Sequence, residues 1–130
     1  MLDKHEIAYV AADRADAATR PVLFVFNGGP IGPSSVLHMG AFGPKRVVVS
    51  LEGGLNPPYI IENNPYTLLD YADLVFVDPV STGFSKVAKG EDPKQYFGVD
   101  EDIKLMSEFV RHYITKNGRW TSPKYLIGES

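Results

Sequence analysis

The sequence predicts an α/β fold with a mostly parallel sheet, and three features of the chain carry this expectation. Residues 22–26 and 74–77 are apolar throughout, without the alternation of a strand that faces water, so each is expected to be covered on both faces. Residues 100–116 repeat apolar side chains at helical spacing. The order strand, long loop, strand, helix, strand is typical of an α/β architecture.

The expected strands are, in chain order, residues 7–11, 22–26, 46–49 and 74–77, and residues 125–127 are a candidate fifth. The apolar stripe of the predicted helix consists of Ile103, Met106, Val110, Tyr113 and Ile114. Acidic residues at its start and basic residues near its end suit the two poles of the helix dipole. Asn117-Gly118 then predicts a left-handed C-cap.

No linker, repeat or low-complexity tract divides the sequence, so residues 1–130 are expected to belong to one domain. The turn-rich stretches 27–45 and 53–70 hold most of the glycine and proline, and loops of this length are usually functional. A parallel sheet needs helices on both faces, whereas the sequence offers one clear helix. We therefore expect an incomplete fold, the N-terminal part of a chain about two to three times longer.

Composition argues against several kinds of partner and site. The net charge is −3 with the charges interspersed, which leaves no basic surface for nucleic acid and no polybasic tract for a membrane. Because the chain has no cysteine, it has no disulfide, thiolate metal site or cysteine nucleophile. The first residues lack the apolar core of a signal peptide, and no apolar run approaches the ~20 residues that span a bilayer.

Two short motifs point to nucleophilic catalysis. Asn27-Gly28-Gly29-Pro30 follows an apolar strand, and glycines there let backbone N–H groups face a developing oxyanion, although a plain turn would look the same. Gly128-Glu129-Ser130 follows the candidate fifth strand and matches the first half of a G-x-S-x-G elbow, a strained turn that lifts a serine hydroxyl clear of the sheet. Together the motifs favour acyl transfer from Ser130.

The remaining polar candidates are interpreted as structural. His5, His38 and His112 have no metal-ligand spacing, and all precede Ser130, whereas the base of a hydrolase with this elbow follows its serine. Asp78 ends an apolar strand at the edge where α/β sites form, but it begins a turn with Pro79 and also precedes the serine. No metal site is expected.

Several further motifs give the chain a specific resemblance. They are Asn27-Gly28-Gly29-Pro30, Leu37-His38-Met39-Gly40-Ala41-Phe42-Gly43-Pro44, Asn64-Pro65-Tyr66-Thr67, Val77-Asp78-Pro79-Val80-Ser81-Thr82-Gly83-Phe84-Ser85 and Tyr125-Leu126-Ile127-Gly128-Glu129-Ser130. In this order they resemble the serine carboxypeptidase family of the α/β-hydrolase fold, closest to its bacterial branch. The resemblance covers nearly the whole sequence.

The resemblance implies a role for each matching position. Ser130 matches the nucleophile and Gly29 an oxyanion donor, while Asn27, Gly28 and Glu129 match the site for the free C-terminal carboxylate of a peptide substrate. An amide and a protonated carboxyl group can both donate to a carboxylate, which implies a preference for acidic pH. The resemblance implies no cofactor, a catalytic Asp and His in a C-terminal portion, and a periplasmic or secreted location, although no signal peptide is present.

Some positions depart from the family pattern. Ala41 stands where many members carry a glutamate that shares a proton with the glutamate beside the serine, so the shared-proton pair is expected to be absent. Ile31 and Pro33 stand in the expected flexible part of the oxyanion loop, where proline removes a donor and fixes φ. Ser81 replaces a usual glycine.

Three readings of function follow. The first is a serine carboxypeptidase, of which these 130 residues alone are expected to be inactive and poorly soluble. The second is a truncated or degenerate product without turnover, because loss of the base, the acid and the second oxyanion donor each costs orders of magnitude in rate. The third is an esterase or acyltransferase with the same elbow, which Ala41 favours.

Overall fold

The computed structural model describes residues 5–10, 16, 18–28, 32–49 and 57–130. Its strands are β1 Glu6–Tyr9, β2 Val22–Asn27, β3 Lys45–Val47, β4 Ile61–Asn63, β5 Asp73–Val77 and β6 Lys124–Glu129. Its helices are α1 Ser35–Leu37, which runs into a π-helical turn at His38–Phe42, a 3-10 turn at Pro93–Tyr96, and the long helix α2 Val99–Lys116.

The main sheet has the strand order β1-β5-β2-β6. Strand β2 lies at its centre and runs parallel to both β5 and β6, whereas β1 is antiparallel to β5. The predicted α/β class with a mostly parallel sheet is therefore confirmed. Strands β3 and β4 form a separate antiparallel pair.

Both faces of the central strands are buried, as their apolar sequences predict. Alternate residues of β2 and β5 pack against α2, where Phe24 contacts Phe109 and Tyr113 edge to face. The intervening residues form a second cluster on the opposite face, with partly buried side chains from α1, the π-helical turn and the loop before β5. This cluster consists of Leu23, Val25, Ala72, Leu74 and Phe76, with Tyr9, Leu37, Phe42, Leu68, Leu69 and Ile127 around it.

Helix α2 begins one residue before the predicted start and ends at Lys116 as predicted. Its C-terminus has a Schellman cap, because Gly118 takes φ +63° while Arg119 N donates to Ile114 O and Gly118 N donates to Thr115 O. The predicted buried stripe is partly wrong. Ile103 is 60% exposed, and Leu105 and Phe109 are buried instead.

The short strands differ most from expectation. Strand β4 lies within a stretch predicted to be loop, and its three exposed residues pair with β3 in a way that their sequence does not signal. Strand β1 is residues 6–9 rather than 7–11, and Ala11 lies outside the described residues. Strand β6 is longer than predicted at both ends, because its pairing with β2 continues to Asn27.

One edge of the sheet remains open in the described part of the chain. Strand β6 pairs there only with β2, and its Tyr125 and Leu126 are more than half exposed. An apolar strand exposed at an edge is what the single predicted helix led us to expect. Among the described residues, no helix combines the length and apolar character needed to cross a bilayer.

Candidate active site

The candidate site lies where β2 and β6 end, on adjacent parallel strands. Their register pairs Phe26 with Gly128 and Asn27 with Glu129. Because parallel strands end at the same edge of a sheet, the two predicted motifs meet there although about a hundred residues separate them. The structure thus brings Asn27, Gly28, Glu129 and Ser130 together.

Asn27 and Glu129 are joined directly by their side chains. Asn27 is buried, and its Nδ2 donates a hydrogen bond of 3.0 Å to Oε2 of Glu129, which is exposed. The Asn27 Oδ1 accepts from the Leu37 backbone N–H at 3.2 Å. Since an N–H can pair only with the amide oxygen, this second bond fixes which end of the carboxamide faces Glu129.

Gly28 lies against the backbone of Ser130. A β-carbon added at Gly28 would come within 2.2 Å of the carbonyl oxygens of both Glu129 and Ser130, a separation that no side chain tolerates. Close backbone approach therefore requires glycine at this position. Gly29, to which the resemblance gives the oxyanion role, lies outside the described residues, so that role stays a prediction.

Ser130 takes a positive φ directly after β6. It is exposed at the end of β6 with φ +70°, in the left-handed region that non-glycine residues seldom adopt. A β-carbon at Gly128 would come within 2.8 Å of the Phe26 ring, so glycine two residues before the serine lets β6 pack beside β2. Both features agree with the elbow that Gly128-Glu129-Ser130 predicts.

His38 is a buried packing residue. Its Nε2 lies 2.7 Å from the Tyr9 hydroxyl, and its ring lies 4.7 Å from the ring of Phe76. Burial lowers the pKa of His38 below its ordinary value of 6.5, because desolvation disfavours the charged imidazolium. His112 is exposed on α2, and the ring of His5 packs against Phe84.

Asp78 is buried at the end of β5 and accepts from two backbone N–H groups. Oδ1 accepts from Ser34 N at 2.9 Å and Oδ2 from Phe84 N at 3.2 Å. Asp78 also lines a cavity of about 180 Å³ between β1, β5 and α1, together with His5, His38, Ser34 and Phe84. No group of three acidic or histidine side chains in the described ranges is arranged to hold a metal ion.

Of the positions that depart from the expected family pattern, Ala41, Pro33 and Ser81 lie in the described part of the chain. Ala41 is in the π-helical turn, and its carbonyl oxygen accepts from Asn64 Nδ2 at 2.7 Å. Pro33 directly precedes the buried Ser34, whereas Ile31 lies outside the described residues. Ser81 takes φ +65°, a left-handed conformation that suits the glycine it replaces.

Sequence reasoning missed Ser34 and Leu37, the residues that hold Asn27. Ser34 is 2% exposed, and its Oγ accepts from Asn27 N at 3.4 Å. Leu37 contributes only its backbone N–H, so no property of its side chain could have signalled the contact. A serine that precedes a helical turn is a common N-cap signal, and this was the one clue to Ser34.

Two comparisons with known proteins found a match for the chain. The family model described as "Serine carboxypeptidase" matches residues 6–130. Among solved structures, the chain is similar to Kex1(Δ)p of Saccharomyces cerevisiae, described as a prohormone-processing carboxypeptidase, with 25% sequence identity and a TM-score of 0.73. The match covers 98% of this chain and 26% of that one, so the chain spans about a quarter of its length. No curated protein matched the sequence.

Proposed function

Because the chain belongs to the serine carboxypeptidase family, we propose that it is the N-terminal part of a serine-type carboxypeptidase domain of the bacterial type. Ser130 is its nucleophile and removes the C-terminal residue of peptides through an acyl-enzyme. The remainder of the domain supplies the catalytic Asp and His. No cofactor takes part.

The observation that carries this proposal is the contact between Gly28 and Ser130. The glycine segment approaches the serine so closely that no β-carbon fits between them. A peptide carbonyl attacked by the Ser130 hydroxyl would lie within reach of N–H groups of this segment, with Gly29 as the oxyanion donor. The left-handed backbone of Ser130 supports the same reading, since an elbow presents the hydroxyl at the sheet edge.

Asn27 and Glu129 account for recognition of a free C-terminus. Asn27 Nδ2 can donate to a carboxylate, a carboxyl group such as that of Glu129 donates only when it carries a proton, and the 3.0 Å bond from Nδ2 to Oε2 places the two groups side by side. With Gly28 they form the substrate-binding side of the site. The substrate class is therefore peptides with a free C-terminal carboxylate.

The reaction is an acyl transfer. The Ser130 Oγ forms a bond to the carbonyl carbon, its proton passes to the base, and the C–N bond breaks as the leaving amine takes that proton. Water then cleaves the ester and regenerates the hydroxyl. The residues up to Ser130 supply the nucleophile, the oxyanion donor and the carboxylate donors, and the base and its acid partner come from residues after Ser130.

Active-site labelling of the full-length gene product tests the proposal. A fluorophosphonate is expected to label Ser130, Ser130→Ala to abolish the labelling, and the exposed control Ser107→Ala to leave it unchanged. Mass spectrometry of a peptide incubated with the protein should show stepwise loss from the C-terminus. Labelling that persists in Ser130→Ala would reject the assignment, and a full-length product without turnover would favour the degenerate copy.

An esterase or acyltransferase on the same fold is the second candidate, favoured by one observation. Ala41 brings a methyl group where many family members bring a second carboxyl group, so the described residues offer fewer donors for a substrate carboxylate. Matched peptide and ester substrates separate the two readings. Faster turnover of esters without a free carboxylate would support the second candidate over the first.

A further inference from the structure

We propose that Asp78 is a positioning residue for C-terminal carboxylate recognition, acting on Asn27 through Ser34 and the helical turn that Ser34 begins. The inference rests on the proposed function and deepens it. It concerns a residue that touches neither Ser130 nor the Glu129 side chain in any described contact. Its influence passes through a continuous series of hydrogen bonds.

The first step is the way in which the fold holds the Asp78 carboxylate. Its two oxygens accept from separate backbone N–H groups, of Ser34 at 2.9 Å and of Phe84 at 3.2 Å. Gly83 adopts φ +51°, and a β-carbon there would come within 2.1 Å of Asp78 Oδ2. The loop after β5 therefore closes tightly on this carboxylate and aims its other oxygen at Ser34.

The second step joins Asp78 to the end of β2. Ser34 is almost fully buried, and its Oγ accepts from Asn27 N at 3.4 Å while donating to the carbonyl oxygen of Val77 at the end of β5. One serine thus connects the ends of both strands. The Asp78 bond to the Ser34 N–H fixes where that serine lies.

The third step reaches the Asn27 side chain. Ser34 O accepts from His38 N at 2.8 Å, which forms the helical turn that carries Leu37. The Leu37 N–H donates to Asn27 Oδ1 at 3.2 Å and so turns Asn27 Nδ2 toward Glu129. Moving the start of this turn would rotate the carboxamide whose N–H groups are proposed to bind the substrate carboxylate.

The chemistry of Asp78 makes the inference testable. A carboxylate can accept on both oxygens, whereas asparagine has one acceptor and one NH₂ group. In Asp78→Asn, the NH₂ group must therefore face either the Ser34 or the Phe84 N–H, donor against donor. The volume barely changes, so the substitution removes one of the two bonds that hold the residue 78 side chain without opening a cavity.

The experiment uses the full-length gene product and two peptides, one with a free C-terminus and one with a C-terminal amide. The readout is the ratio of kcat/KM for the two. We expect Asp78→Asn and Asn27→Ala each to lower the wild-type preference for the free C-terminus by about tenfold, the size of one hydrogen bond to a charged group. Because both act on one group, the double variant should show little further loss.

Two further variants provide a control and a second measurement. Asp70→Asn changes an exposed aspartate and should leave the ratio unchanged. Ser34→Ala breaks the series one step later and should reproduce the loss, which gives a second measurement if Asp78→Asn does not fold. If neither variant folds, Asp78 is needed for folding rather than for positioning Asn27, and the proposal is overturned.

The outcomes separate this inference from the proposed function. If the wild-type protein discriminates and Asp78→Asn discriminates equally, or loses both activities in parallel with its melting temperature, the positioning role is wrong and the carboxypeptidase assignment stands. If the wild-type protein shows no preference for a free C-terminus, the proposed recognition of a C-terminal carboxylate is wrong. The positioning role of Asp78 is then rejected as well, because it depends on that recognition.

Discussion

Arg119, which lies just before β6, donates from Nη1 to Oδ2 of Asp73, the first residue of β5. Arg20, before β2, donates from Nε to the other carboxylate oxygen at 2.9 Å, and all three side chains are buried. Arg119 Nη2 also donates to Arg20 O at 2.7 Å. One carboxylate thus aligns the starts of three neighbouring strands, at the end of the sheet opposite to the candidate site.

Removing that charge should be strongly destabilising. Asp73→Asn leaves two buried guanidinium groups facing a neutral side chain, and breaking a buried ion pair in this way costs about 3–5 kcal/mol. Urea unfolding of the full-length gene product measures the loss, with the exposed Asp100→Asn as the matched control. A change below about 1 kcal/mol, the size of a surface pair, would show that the cluster does not hold the strands.

Gly28→Ala should lower turnover on the order of 100-fold, because the added methyl group perturbs the end of β6. The new methyl group must displace the backbone at Glu129 and Ser130, and a shift of about 1 Å in a reacting group costs on the order of 100-fold in rate. The rate of fluorophosphonate labelling measures the effect. Gly40→Ala is the control, because nothing lies within 4 Å of its β-carbon. Unchanged labelling of Gly28→Ala would remove the central observation behind the proposed function.

His38 should make the protein less stable in acid. Its pKa is lowered in the fold, so between the folded and unfolded pKa values the unfolded chain binds more protons, and the free energy of unfolding falls as pH drops below about 6.5. His38→Gln should flatten this dependence between pH 7.5 and 5.5, measured by urea unfolding. Exposed His112→Gln should keep the wild-type slope. His5 and Asp78 are ionisable groups that line the same cavity as His38. The test is therefore the difference between the pH dependence of unfolding of His38→Gln and that of the wild-type protein.

Gly118→Ala should weaken the end of α2. At φ +63° alanine is strained, and the cost is expected to be about 1 kcal/mol. The mutated residue lies in open space, so no steric clash adds to this conformational cost. Thermal unfolding measures this cost, with Lys116→Ala, at the last residue of α2 and two positions before Gly118, as the control. Equal stability of Gly118→Ala and the wild-type protein would contradict the Schellman assignment.

The sequence predicted those parts of the fold that depend only on residues close together along the chain. The apolar runs of β2 and β5 and the Asn117-Gly118 cap needed no knowledge of distant partners. The buried face of α2 was predicted in part, since Tyr113 and Ile114 are buried but Ile103 is not. Leu105 and Phe109 lie at i, i+4 spacing with Tyr113, so the local pattern already contained the face that packs on the sheet.

The candidate site divides in the same way. Asn27, Glu129 and Ser130 could be named from their motifs, and that two motifs share one edge follows from the parallel pairing of β2 and β6. The hydrogen bonds of Ser34 and Leu37 to Asn27 could not be anticipated, because one depends on burial and the other on a backbone N–H. Both hydrogen bonds depend on how the turn after β2 packs against the sheet, which is a property of the tertiary structure.

The register between β2 and β6 also bears on when the candidate site forms during folding. Asn27 and Glu129 are 102 residues apart, and they meet only after the last strand has docked beside the central one. If Ser130 is the nucleophile, a nascent or misfolded copy carries an ordinary, unreactive alcohol. Under the proposed function, the serine and the carboxylate-binding residues come together only when β6 pairs with β2, and turnover further needs the base and acid from the residues after Ser130.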